Sequence, residues 1–506
     1  MSERKQEYWE RQLTGQPLRG GGFTSDIERK VRERIRMGQS TTKSRGWIKT
    51  TAAITAMAVL LGGGWLLKDD IGEFMNPSNK MAGVPASLQD DSLADMDVTL
   101  KVMENTYDNF TTMQYARPFL LHHPSVGVEA VVRPVPKEGD KLQDWIEKEK
   151  LDVLRLSFDE YVLLANEGKL LALDALIKKD KVDVNAMYEP VMDMLRTGGG
   201  GQLYGLPSDF QTYVLFVNTE LFKQKGIPIP HEGMTWEELL NTAARFQGTG
   251  VTGLLPDSWA ADRVYSLVDR IGSSEGLQTD VQNGKQVTVN SPAWAAIWQK
   301  VADGYREGWL YREAKKDNSV ESFTPSDAFL SGKAAMVISS SYYMQQIDQV
   351  WQGDEQKQWI TVPLPGISNA SVYVNEIYAV RANTTNEKAA WEFAKFMTGR
   401  EFAKRIIAMG GNTPIRQSDW PEGKQANIAA FYQNKFDVSE FVARSRARST
   451  GLGKETASNT LAINAYQLGQ PLMEQVIAGK LTVEQALEQL KGQLEQEVMR
   501  KKKVQP

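Results

Sequence analysis

An α/β chain of more than one domain is what this sequence predicts, on three observations. Apolar, β-branched runs at Val98–Met103, Val126–Val132 and Asp152–Leu156 alternate with helical stretches around Met113–Leu120 and Glu160–Glu167. That order builds βαβ units and a parallel sheet, with ligand-facing loops at the carboxyl ends of the strands. At 506 residues the chain is too long for one hydrophobic core, and the size rule asks for two or three domains. An uncharged apolar run, Thr50–Leu67, stands apart from both.

Composition bounds the chemistry. Hydrophobic residues at 41% and charged residues at 24% suit a soluble globular body. The absence of cysteine excludes structural disulfides, thiolate metal sites and nucleophilic-cysteine chemistry, and with them the usual lipoprotein anchor.

Residues 1–49 read as a basic cytoplasmic tail, with 12 Lys and Arg against 6 Asp and Glu. Ser25 with Glu28 fits a capping box, and Ile27, Val31 and Ile35 would lay one narrow apolar stripe along a basic helix. It is either a docking helix or a solvated segment that enforces topology. Residues 50–67 read as a transmembrane helix of about 27 Å, near the short limit for the hydrocarbon core. Trp47 and Trp65 sit near its ends, and Lys43, Arg45 and Lys49 flank it before Asp69, Asp70 and Glu73 follow, which keeps the basic side in the cytoplasm. A buried helix and a cleaved signal are the other readings, but a long basic prefix precedes the run and no small-x-small site follows directly. Residues 68–96 read as a tether, and the body after it is acidic.

Within the body, the glycines 198–201 form a loop that leads into a turn at Gly205 and Pro207 and the apolar run Tyr213–Val217. Asn218–Phe222 opens a short helix, and after Gly226, Pro228 and Pro230 a second helix starts at Thr235, whose acidic first turn, Glu237 and Glu238, suits the helix dipole. Trp294, Trp298 and Trp309 fall with Ala295, Val301 and Tyr305 on a helical pattern and read as core.

The order of these parts resembles the extracellular solute-binding proteins of ABC importers, family 1, the maltose-binding-protein-like group. Leu151-Asp152-Val153 with Glu167–Asp174 is similar to that family's "pDV…GxLxpLD" signature, and Phe329–Met336 resembles "FxxGkaAM". Ala389–Thr398, Gly411–Pro414 and Gly479–Leu490 fit the helix, loop and closing helix that follow. The resemblance implies a two-lobed periplasmic-binding-protein-like fold with discontinuous lobes and a three-strand hinge, preceded here by one transmembrane helix. On it, lobe 1 takes residues 97–212 and 334–380, and lobe 2 takes residues 213–333 and 381–500. It further implies capture of a carbohydrate between the lobes, an oligosaccharide by preference, and delivery to ABC permease subunits. A monomer anchored outside the cell membrane is expected, with no cofactor, metal or nucleic-acid partner and no enzymatic activity.

Other signals are weak. Gly248-Thr-Gly250-Val-Thr-Gly253 matches GxGxxG but runs into Leu254, Leu255 and Pro256 instead of opening a helix, so it lacks the helix N-terminus a phosphate needs. No GxxxxGK[ST] or HExxH occurs, and His122, His123 and His231 are the only histidines. Two further readings remain open: a membrane-bound sensor signalling through the tail, and an exported glycan-acting enzyme.

A sugar presents apolar C–H faces for aromatic rings and hydroxyls for carboxylates and amides. Loops at strand ends offer Ser157, Phe158 and Asp159; Asp209, Phe210 and Gln211; Asp257, Ser258 and Trp259; Ser341, Tyr342 and Tyr343; and Asn375 with Glu376. The ligand-binding expectation falls on Ser157, Asp159, Asp209, Phe210, Trp259, Ser341, Tyr342, Tyr343, Asn375 and Glu376. Tyr342 stands where the family's "GSW" element often places a stacking aromatic, a departure that keeps a ring and adds a hydroxyl.

Overall fold

The structure, a computed structural model, describes residues 91–104, 111–135, 141–258, 263–277, 287–312, 327–351, 358–366, 372–374, 376–422, 425–434, 437–449 and 457–504. The tail, the run 50–67 and the tether up to residue 90 lie outside them. Among the described residues no helix is long and apolar enough to cross a membrane.

The strands in chain order are β1 (Val98–Glu104), β2 (Val126–Val132), β3 (Val153–Leu156), β4 (Gly205–Pro207), β5 (Asp209–Phe210), β6 (Tyr213–Asn218), β7 (Thr252–Leu255), β8 (Ala334–Ser340), β9 (Trp359–Pro363), β10 (Ile377–Val380) and β11 (Thr413–Pro414). One sheet runs β2-β1-β3-β10-β4 and a second runs β7-β8-β6-β9. In the first, β1 is parallel to β2 and β3, joined through the helices Thr111–His122 and Leu142–Glu149. The expected parallel sheet is nevertheless mixed, because β10 arrives from the other lobe and pairs antiparallel with β3 and β4.

Each sheet carries its own core. In β6, Leu215 and Val217 face one apolar cluster while Val214 and Phe216 face another, the alternation a pleated strand imposes when both faces are covered. Asn218 ends that strand and caps the helix Thr219–Lys225 by accepting from Leu221 N at 3.1 Å. Thr235 and Glu238 cap Trp236–Ala244 reciprocally, at 2.8 and 3.2 Å. Trp294, Trp298 and Trp309 all lie in the second lobe's core.

The lobe boundaries differ from those read in the sequence. β8 pairs with β6 and β7, and β9 pairs with β6, so residues 334–351 and 358–363 belong to lobe 2. β10 and the helix Glu387–Met397 pack in lobe 1, where Ile377, Ala389, Phe393 and Val442 share one core with Val102 and Val153. Trp420, Ile428 and Phe431 then join lobe 2, as do Ala465 and Leu487. The chain therefore changes core more often than the three crossings expected, because its C-terminal part is divided between the lobes.

The crossovers lie side by side. Gln211 and Tyr373 exchange backbone hydrogen bonds of 2.8 and 2.9 Å, Ser208 N donates to Glu376 O at 3.1 Å, and β5 pairs with β11 through Phe210–Thr413 and Asp209–Pro414. The glycines of the GxGxxG stretch are structural. Gly248 and Gly250 take φ of 73° and 80°, and a Cβ on Gly253 would lie 2.1 Å from Ala243 O of the helix packed on β7. Gly253→Ala is expected to cost about 1–3 kcal/mol in a denaturant melt, and an unchanged midpoint would contradict this close approach.

Candidate ligand-binding cleft

Parallel strands carry ligand-facing groups at their carboxyl edge. Glu104 ends β1, Arg155 sits one residue from the end of β3, and Glu376 immediately precedes β10. Arg155 donates to Glu104 Oε1 at 2.8 Å through Nη1 and grips Glu376 through Nε and Nη2. Side-chain exposure of Arg155, Glu104 and Glu376 is 6%, 2% and 19%, so the ion triad is buried with Glu376 at its open side. Burial works against the guanidinium charge, but the Glu376 hydrogen bonds and the carboxylates of Glu376 and Glu104 outweigh it and push the Arg155 pKa up.

On lobe 2 the corresponding edge is formed by the ends of β7 and β8. Asp257 follows β7, with its carboxylate 3.9 Å from Arg270 Nη2. The Arg270 guanidinium lies 4.4 Å over the Tyr213 ring, a cation–π arrangement, and its buried Nε has no hydrogen-bond partner. Burial pushes the Tyr213 hydroxyl up, Arg270 opposes this, and Asp257 and Tyr373 add to it, so these four side chains form one neighbourhood. Tyr373 is 49% exposed between the buried Val372 and Val374, as strand alternation requires, and Tyr342 is 37% exposed at the start of the helix Tyr342–Trp351.

The proposed site residues divide. Glu376, Tyr342 and the neighbouring Asp257 lie on these edges with accessible surface. Ser157 is half-buried and donates through N and Oγ to Glu160 Oε2, at 3.0 and 2.9 Å, so it serves as a helix cap. Asp159 accepts from Ser445 Oγ at 2.5 Å and ties two helices. Ser341 is buried, with its Oγ 3.4 Å from Gly411 O, and Ser258 is buried against Ser339.

Phe210 and Tyr343 are corrections. Phe210 is fully buried, stacked 4.8 Å from Tyr188 and edge-on to Tyr432. Tyr343 is fully buried against Phe216 and Phe329, because the helix that exposes Tyr342 turns its neighbour inward. Trp259 and Asn375 lie outside the described residues.

Asp209 is also corrected. It is 3% exposed, and its oxygens accept from Ser208 Oγ at 2.6 Å and Asn412 Nδ2 at 2.9 Å, which makes it a hinge tie. Burial holds its carboxyl above the usual carboxylate range, against the lowering influence of Ser208, Asn412 and Arg155. A carboxyl raised on folding contributes stability below its unfolded pKa and loses it as pH rises through the folded value. Asp209→Asn is therefore expected to gain melting temperature over the parent as pH rises above the carboxylate range; a pH-independent difference would contradict this.

Sequence reading missed Arg155, Arg270, Tyr213 and Tyr373 as site residues. Alternation in Val372-Tyr373-Val374 was the available signal for one of them. The others depend on pairing between segments distant in sequence.

A family model described as bacterial extracellular solute-binding protein matches residues 114–425. The sn-glycerol-3-phosphate-binding periplasmic protein UgpB of Brucella abortus (strain 2308) is 21% identical over 329 residues, 61% of this chain and 69% of that protein. UgpB of Agrobacterium fabrum is 21% identical over 343 residues, 60% of this chain and 73% of its own length. Among solved structures, the sugar-binding protein MalE of Xanthomonas citri shares the fold at a TM-score of 0.54, with 17% identity over 80% of this chain and 98% of that one.

Proposed function

This chain belongs to the bacterial extracellular solute-binding proteins, and from that premise we propose that it captures a carbohydrate between its lobes and delivers it unmodified to an ABC permease. The observation that carries the reading is the gathering of accessible Tyr342 and Tyr373 with Tyr213, Asp257 and Arg270 at the lobe 2 edge and crossover. Rings pack on sugar C–H faces, and a carboxylate beside a guanidinium supplies the acceptors and donors that vicinal hydroxyls need. MalE, described as sugar-binding, supports a carbohydrate, whereas UgpB is named for sn-glycerol 3-phosphate. An oligosaccharide is the ligand of this reading. Closure of the lobes would shift the population toward a form that the permease recognises.

A thermal-shift screen of oligosaccharides, polyols and sn-glycerol 3-phosphate tests it. Ligand at about 100 times its dissociation constant adds about 2.7 kcal/mol of stability. Stabilisation by sn-glycerol 3-phosphate alone would replace the carbohydrate reading.

Residues 50–67 are proposed to remain as an uncleaved anchor, with residues 1–49 in the cytoplasm and the body outside; the charge flanks support this. N-terminal analysis of protein taken from membranes is expected to recover the tail. A mature chain starting beyond about residue 70 would contradict the anchor. The sensor reading keeps the same anchor and cytoplasmic tail and differs in the tail's partner. Deleting residues 1–40 while keeping Lys43, Arg45 and Lys49 leaves uptake intact in an importer subunit, whereas loss of a ligand-dependent transcriptional response would favour a sensor.

A further inference from the structure

The cleft edge on lobe 2 does not stop at Asp257. Arg312, just beyond the helix Pro292–Glu307, pairs with Glu474 of the helix Ala457–Ile477, with side-chain exposures of 31% and 19%. That helix is seated tightly at this level. Gln470 Oε1 accepts from Tyr265 N at 3.0 Å, Tyr466 meets the Tyr265 ring edge-on at 5.8 Å, and a Cβ on Gly469 would fall 2.6 Å from the same ring. Leu310 bridges Leu254 of β7 in parallel and Tyr311 N donates to Leu254 O at 2.8 Å, which carries Arg312 alongside the end of β7 toward Asp257. Burial pushes the Tyr305 hydroxyl up, with Arg312 opposing this and Asp257, Tyr466 and Glu474 adding to it. Tyr305 and Tyr466 are both half-buried, each keeping part of its surface accessible.

We infer that the cleft continues on lobe 2 into a further subsite, formed by Asp257, Tyr305, Arg312, Tyr466 and Glu474, that takes an additional neutral, polyhydroxylated ring of the ligand. This rests on the carbohydrate reading above. Two tyrosines offer apolar faces, two carboxylates accept from hydroxyls, and Arg312 donates. The carboxylates of Asp257 and Glu474 are matched by Arg270 and Arg312, so a charged group entering there would meet a like charge without a surplus of the opposite one. The subsite lengthens the ligand the cleft accommodates. Its wall, the helix Ala457–Ile477, lies outside the family-matched residues 114–425, so the family match carries no information about it.

The test uses the full chain in mild detergent, titrated calorimetrically with linear glucose, galactose and mannose oligomers, α- and β-linked, of graded length. Tyr466→Ala and Glu474→Gln are expected to weaken binding of the longer oligomers about 5- to 50-fold while leaving the shortest bound members unchanged. Tyr466→Phe, which keeps the ring, is expected to retain the parent's length dependence and guards against a fold defect in the alanine variant. Equal loss at every length, or loss at none, overturns the subsite and leaves the carbohydrate reading standing. Failure of the parent to bind any oligomer overturns both.

Discussion

Arg155→Met is expected to destabilise the protein by about 3–5 kcal/mol, because it leaves Glu104 buried and Glu376 partly buried with no cation between them. The loss comes chiefly from stranding the buried Glu104 carboxylate, more than from the intrinsic strength of the pair. Glu104→Gln in the Arg155→Met background should recover part of the stability, since the more deeply buried charge is then gone. Equilibrium denaturant unfolding of the three proteins checks this. A loss below about 1 kcal/mol in the single variant would mean that the triad is hydrated and does not organise the lobe 1 edge.

Removing the accessible rings should act on binding and spare the fold. Tyr342→Ala and Tyr373→Ala are each expected to weaken carbohydrate binding by about 1–2 kcal/mol, about 5- to 30-fold, with stability changed by less than about 0.5 kcal/mol. Both side chains are partly exposed, at 37% and 49%, so little packing is lost with them. Calorimetric titration beside a thermal melt separates the two effects. Parent-like affinity in both variants would remove these rings from the site.

The local elements were legible in the sequence for local reasons. β1, β2 and β6 follow from apolar β-branched runs, and Asn218 and Thr235 mark helix starts because their side chains satisfy amides of the first turn. Lobe membership was not legible in the same way. β8 is buried along its whole length, so its sequence carries no alternation to say which sheet receives it, and its pairing with β6 is set by contacts more than a hundred residues apart.

The site was harder still. Asp209 and Phe210 lie beside the crossover, where Ser208 ties Asp209 from the preceding position and Asn412, Tyr188 and Tyr432 enclose the pair from other segments. Arg270 gains its role only by stacking on Tyr213, and Glu474 only by meeting Arg312. Such partners are invisible to a motif, since a motif reads neighbours along the chain and a cleft is built from neighbours in space.

Reversible capture of an unmodified carbohydrate is most directly tested by native mass spectrometry of the full chain with a mixed oligosaccharide library. The account predicts a complex of one protein with one glycan whose mass, after release, equals that of the glycan supplied. A library left unbound, or released glycans shortened by hydrolysis, would contradict it.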